Sequence, residues 1–140
     1  MNFIKPFKGN YKVTSKHGVA RQLAIYNNKL KPHYGTDYGI PFGTELIAVG
    51  NGKIIGIYND EKRGFGQWLI LQAEEYFFFY THLSKILVKK GEVVKQGKII
   101  AHSGNSGAST GPHFHFQICK GNYLAKNYIT NTVDAEKLIA

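Results

Sequence analysis

The sequence predicts an all-β domain, a sandwich or barrel of duplicated hairpin units. Three observations carry this. Sixteen glycines divide 140 residues into short extended runs. From His113 to Cys119 polar and apolar residues alternate, the pattern of a half-buried strand. The stretch Gly43-Thr44-Glu45-Leu46 leading to Gly52-Lys53-Ile54-Ile55 is echoed by Gly91-Glu92-Val93-Val94 leading to Gly97-Lys98-Ile99-Ile100.

Taken in order, Tyr11–Thr14 reads as a short strand and the polar stretch Tyr26–Pro32 as a loop. Gly35, Gly39, Pro41 and Gly43 argue against helix from His33 to Thr44 and favour a turn into a strand. Glu45–Val49 and Lys53–Tyr58 read as strands around a Gly50-Asn51-Gly52 turn. Asn59–Gly66 reads as a charged loop. Gln67–Ala73 and Tyr76–Leu83 read as a hairpin with Glu74-Glu75 at its tip. The second arm is apolar on both faces and belongs in the middle of a sheet, with His82 on the face of Phe78 and Tyr80. Ile86–Val88 and Lys98–His102 form a further pair, and Ser103–Gly111 a small-residue loop. Pro112 then opens the His-Phe-His strand. On that strand Phe114, Phe116 and Ile118 share one face, and His113, His115 and Gln117 the other. A short helix is expected in the tail after Asn131.

A chain of this length fits one domain, residues 1–140, with 43% hydrophobic residues arguing against disorder. No apolar run is long enough for a membrane span. The start, MNFIKPFKGNYK, lacks a signal-peptide h-region, so synthesis in the cytoplasm is expected. Cys119 is the lone cysteine, which excludes an internal disulfide and a thiolate metal cluster. The net charge is +9, and sixteen of eighteen basic residues are Lys. That favours diffuse attraction to a polyanion, nucleic acid or an anionic cell wall, over bidentate phosphate reading.

The chemistry gathers on a few residues. His33 and Asp37 are close enough in sequence to reach one point. With one histidine of the His113/His115 pair they make two imidazoles and one carboxylate, a set that suits one Zn²⁺ per chain. Three protein ligands leave a fourth position for water, the pattern of a catalytic rather than a structural zinc. No HExxH motif supplies a glutamate base. The spare strand histidine and His82 are the candidates for proton transfer.

His33-Tyr34-Gly35-Thr36-Asp37, Tyr80-Thr81-His82-Leu83-Ser84 and Ser109–Phe116 together resemble the three motifs of the lysostaphin-like (LytM-type) zinc metalloendopeptidases, which cut peptidoglycan peptides. The likeness runs from about residue 12 to residue 120. It implies a two-sheet β architecture with a groove over the metal. It also implies His33, Asp37 and His115 as zinc ligands, with His82 and His113 as the catalytic pair that does not coordinate. The substrate implied is bacterial peptidoglycan; the +9 charge adds anionic wall polymers as a further candidate partner, against solubility alone, and a monomer is the expected state. A short member of this kind resembles a phage lysis or virion protein, acting on the wall after release or from the particle. The chain departs from the pattern at Lys16–Arg21, in place of a Phe-Gly-x-Arg run. Gln117 stands where a glutamate is usual, and a Pro-containing close is missing around Tyr123–Tyr128. These departures bear on substrate preference and groove shape.

His17 and His102 read as structural, Cys119 as a small buried hydrophobe, and Ser103 and Ser109 as turn residues. The run Tyr76–Tyr80 reads as core, with Tyr80 in reach of the groove. Two other functions compete. A non-catalytic wall- or partner-binding protein of the same fold would lack one or more of the five site residues, and all five are present. A specific nucleic-acid-binding domain would interleave aromatics with Arg and Lys, and YFFFYTHL carries no basic residue before Lys85.

Overall fold

The computed structural model describes residues 2–18, 20–22, 30–60, 64–105, 113–121 and 131–139. Its strands are β1 (Lys12–Ser15), β2 (Ala20–Gln22), β3 (Leu30–Pro32), β4 (Thr36–Gly39), β5 (Glu45–Ile47), β6 (Gly52–Asp60) and β7 (Gly66–Ala73). They continue as β8 (Tyr76–Tyr80), β9 (Leu83–Ile86), β10 (Val93–Val94), β11 (Ile99–Ser103), β12 (Phe114–Lys120) and β13 (Thr132–Val133). A helical turn, α1 (Ala135–Leu138), follows, capped by the Asp134 carboxylate, which accepts from the Glu136 N–H at 2.9 Å. No described helix is long and apolar enough to cross a membrane.

The expected all-β, two-sheet architecture is present. The larger sheet runs β1-β4-β12-β8-β7-β6-β10, with β13 also on β12; the smaller runs β5-β11-β9, and β2 pairs β3. Central β12 has the alternation read from sequence. Phe114, Phe116 and Ile118 face the main core, with Phe78, Tyr80, Leu69 and Leu71 of the same sheet and Leu46, Leu83 and Ile100 of the other. Cys119 lies on the opposite face with Ile70, Phe77 and Phe79. Burial pushes its thiol up to about 11, consistent with a small inert hydrophobe.

The duplicated units do not fold as hairpins. β5 pairs β11, with Leu46 opposite Ala101, and β6 pairs β10, with Lys53 opposite Val93. Each repeat therefore finds its partners in the other. The reason is burial: Leu46, Ala48 and Val49 are all fully enclosed, so the chain crosses the core from one sheet to the other instead of turning back. The repeats share one turn chemistry. The Thr44 N–H donates to the Pro41 carbonyl and the Glu92 N–H to the Lys89 carbonyl, with Gly43 at φ 84° and Gly91 at φ 90° between them. Only glycine holds that backbone without strain.

Other expectations shift. The polar stretch before His33 contributes β3 at Leu30–Pro32; residues 23–29 lie outside the described set. The charged loop is shorter than read, since β6 runs to Asp60 and β7 starts at Gly66. The arm expected to reach Leu83 ends at Tyr80, because His82 takes φ 55° and breaks the alternation. His82 thus leaves the face of Phe78 and Tyr80. Tyr80 does not reach a groove. Its hydroxyl donates to the Ile47 carbonyl at 2.8 Å and accepts from the Val49 N–H at 3.1 Å, in the core. That hydroxyl ties the larger sheet to the strand leaving the smaller one.

Tyr80→Phe should therefore lower unfolding stability by about 1–3 kcal/mol, since it leaves the buried Val49 N–H without the oxygen it donates to. A shift in the urea midpoint with unchanged slope checks this.

Candidate metal centre

The site is set by register. On the β4–β12 ladder Asp37 lies directly opposite His115, so both side chains project from one face. His33 comes from the segment entering β4 and reaches the same point. Between them Gly35 leaves room: a Cβ there would stand 2.7 Å from Cε1 and Nε2 of His115 and 2.8 Å from the Phe116 carbonyl oxygen. The Thr81 hydroxyl, donating to the His115 carbonyl at 2.7 Å, steadies the strand from the other side.

Three atoms converge. Asp37 Oδ1 is 2.9 Å from His115 Nδ1 and 3.3 Å from His33 Nε2, and the two ring nitrogens are 3.1 Å apart. All three residues are buried. The outer ring nitrogens are committed elsewhere. His33 Nδ1 lies 3.1 Å from the Lys16 carbonyl, which can only accept, so Nδ1 carries the proton; the Ser15 hydroxyl is 3.2 Å from the same nitrogen. His115 Nε2 donates to Gln117 Oε1 at 2.9 Å. Both inner nitrogens therefore point lone pairs at one another and at a carboxylate. Where protons take the place of an ion on those inner nitrogens, burial pushes the Asp37 carboxyl up, but hydrogen bonding and charge from the protonated His115 and His33 outweigh it. The group is held well below the usual carboxylate range. An anion and two lone pairs within about 3 Å demand a cation or a proton among them. A tetrahedral zinc with bonds near 2.0 Å sets its ligands about 3.3 Å apart, close to the spacing of these three donors. The residues fit the ion.

Next to this trio stand the remaining two histidines. The His82 and His113 rings are 5.1 Å apart at their centroids, and His82 is 6.2 Å from His115. His82 is buried and His113 half-buried. The left-handed backbone at His82 turns its ring toward the cluster, and its N–H donates to the Phe65 carbonyl at 2.8 Å. Phe65 itself stacks on His115 at 5.4 Å with planes 26° apart. All five residues singled out in the sequence are thus brought together. Those set aside lie elsewhere: His102 stands on β11 between Glu45 and Lys85, and His17 Nε2 meets the Thr132 hydroxyl at 3.0 Å.

The supporting groups escaped the sequence reading. Gln117 was placed on the face of His115 by strand alternation, but its bond to that ring was not read from it. The Lys16 carbonyl, Ser15 and Phe65 carry no sequence signal, because each reaches the site through tertiary packing.

Residues 31–128 match the profile of Peptidase family M23. This chain belongs to that family. Among curated M23 relatives, the peptidoglycan DD-endopeptidase ShyA of Vibrio cholerae is 38% identical over 114 residues, 77% of this chain and 26% of the relative. The M23 chain described here spans about a quarter to a third of the first curated relatives it matches. Among solved structures, a zinc containing peptidase from Vibrio cholerae superposes with a TM-score of 0.80 at 33% identity, covering 96% of this chain and 39% of that one. The catalytic domain of lysostaphin from Staphylococcus simulans superposes with a TM-score of 0.77 at 33% identity, covering 91% of each chain.

Removing the acceptor for His115 Nε2 frees the ring to turn or change tautomer. Gln117→Leu should weaken metal affinity by roughly ten- to a hundredfold while the fold stays intact. Chelator competition alongside circular dichroism measures both.

Proposed function

We propose that this chain is a zinc-dependent endopeptidase that hydrolyses peptide bonds of bacterial peptidoglycan, in a cross-bridge or a stem peptide. The observation that carries the reading is the cluster itself: three buried acceptors converging on one point, with two further imidazoles beside them. Family membership and the peptidoglycan endopeptidases among its relatives support the substrate class. His33, Asp37 and His115 hold one zinc. When bound, the ion supplies Lewis-acid polarisation of a peptide carbonyl and activation of water. His82 and His113 handle the protons. One imidazole takes a proton from the attacking water, and an imidazolium stabilises the developing oxyanion or protonates the leaving amine.

The test is paired, with zinc content and turnover of purified peptidoglycan measured on the same preparations. Asp37→Ala removes the anionic ligand and should lose zinc first, and activity with it. His82→Ala should keep zinc and fold yet lose about a hundred- to ten-thousand-fold in rate. If His82→Ala sheds zinc as readily as Asp37→Ala, His82 is a ligand and the assignment fails. If the wild type binds walls without releasing peptide ends, the chain is a non-catalytic binder of the same fold. Mass spectrometry of products from walls of contrasting cross-link type identifies the bond.

The net charge of +9 supports a second contact, with anionic wall polymers. Charge attraction at an exposed surface is screened beyond roughly 8 Å at physiological ionic strength. Sedimentation with purified walls should therefore show binding that falls as salt rises; flat binding would assign the lysines to solubility alone.

A further inference from the structure

The face of the larger sheet that carries the metal cluster also carries a run of aromatic rings leading away from it. Phe65 stacks on His115 and meets Trp68 edge-on at 5.2 Å. Trp68 lies between Phe79, at 5.7 Å and 28°, and Tyr58, at 4.4 Å and 27°. Tyr58 and Trp68 are directly opposed on the β6–β7 ladder. Trp68 is half-buried, whereas Tyr58 is 41% exposed, so the outer end of the run is open to solvent.

The arrangement is built rather than incidental. Beneath Tyr58 lies Gly56, where a Cβ would stand 2.6 Å from Tyr58 Cε2. Without a side chain there, the ring can lie flat along its own strand, against Trp68. Two positions on from Tyr58, and so on the same face, the exposed carboxylate of Asp60 ends the strand. Among the described residues the result is an aromatic stack whose outer ring, Tyr58, is open to solvent, with the Asp60 carboxylate two positions along the same strand, continuous through ring contacts with the candidate metal centre.

We propose that the Tyr58–Trp68 stack is a sugar platform, taking an uncharged amino-sugar ring of the glycan strand while the attached peptide lies across the metal cluster. The chemistry matches. The C–H groups on one face of a pyranose carry partial positive charge and lie favourably on the electron-rich face of an aromatic ring. Its hydroxyls are donors that a rim carboxylate accepts. The inference rests on the reading of the chain as a peptidoglycan peptidase, since that substrate carries its peptides on a glycan strand.

Trp68 is the chain's single tryptophan, so its fluorescence reports on the platform directly. The probes are a β-1,4-linked N-acetylglucosamine tetramer, which no peptidase can cut, and a sugar-free stem peptide. The tetramer should change the emission saturably, and Tyr58→Ala should weaken that binding by roughly tenfold, one ring contact's worth. No change up to millimolar tetramer, or the same binding in Tyr58→Ala, overturns the proposal. So does a response to the peptide alone, which would assign the rings and Asp60 to a peptide ammonium group. The titration needs no catalysis, so the two readings can fail separately. Sugar binding without wall cleavage would leave the platform and remove the peptidase. Wall cleavage without sugar binding would do the reverse.

Discussion

Everything at the site depends on one cross-strand register, that of β4 against β12. It sets Asp37 opposite His115, and a slip of one residue would send the two to opposite faces of the sheet. What holds it is the other side of the same strand. Phe114, Phe116 and Ile118 are fully buried in the main core, so β12 cannot rotate or slide without exposing three large side chains. Burying each is worth on the order of 1.5–3 kcal/mol. A polar cluster that by itself brings an anion against two lone pairs is thus held by apolar packing on the reverse of the strand that carries it.

The interlocked repeats supply the rest of the frame. Because β5 pairs with β11 and β6 with β10, the two sheets share strands drawn from both halves of the chain, and Tyr80 links them through its hydroxyl. This frame leaves one face of the larger sheet for chemistry. On it the His33–Asp37–His115 cluster, the His82–His113 pair and the aromatic run from Phe65 to Tyr58 lie side by side.

Much of this was legible in the sequence, and the division between what was and was not has a physical basis. Period-two alternation revealed β12 and the side on which His115 would lie, because strand geometry enforces it locally. The three motifs brought His33, Asp37, His82, His113 and His115 to attention, and the structure gathers them. Pairing partners were not legible. The echo at Gly43 and Gly91 announces two like units, but whether each closes on itself or on the other is decided by burial of Ala48 and Val49 in a core that local pattern does not describe. The aim of His82 was hidden for a related reason. Its φ of 55° is a backbone state uncommon outside glycine and incompatible with an extended strand, so strand alternation placed it on the wrong face. Phe65 sat in what read as a charged loop, and nothing in its neighbours pointed to His115.

One of the three converging residues, His115, is far from the other two along the chain. His33 and His115 are separated by 82 positions, yet their ring nitrogens are 3.1 Å apart. An ion shared between them would act as a removable cross-link, closing a loop that contains most of the domain. Fixing the ends of so long a loop reduces the freedom of the unfolded chain, much as a disulfide does, though a domain with one cysteine has no disulfide to use. The group that performs the chemistry would then also be the clasp of the fold, and stripping it would slacken the protein as well as silence it.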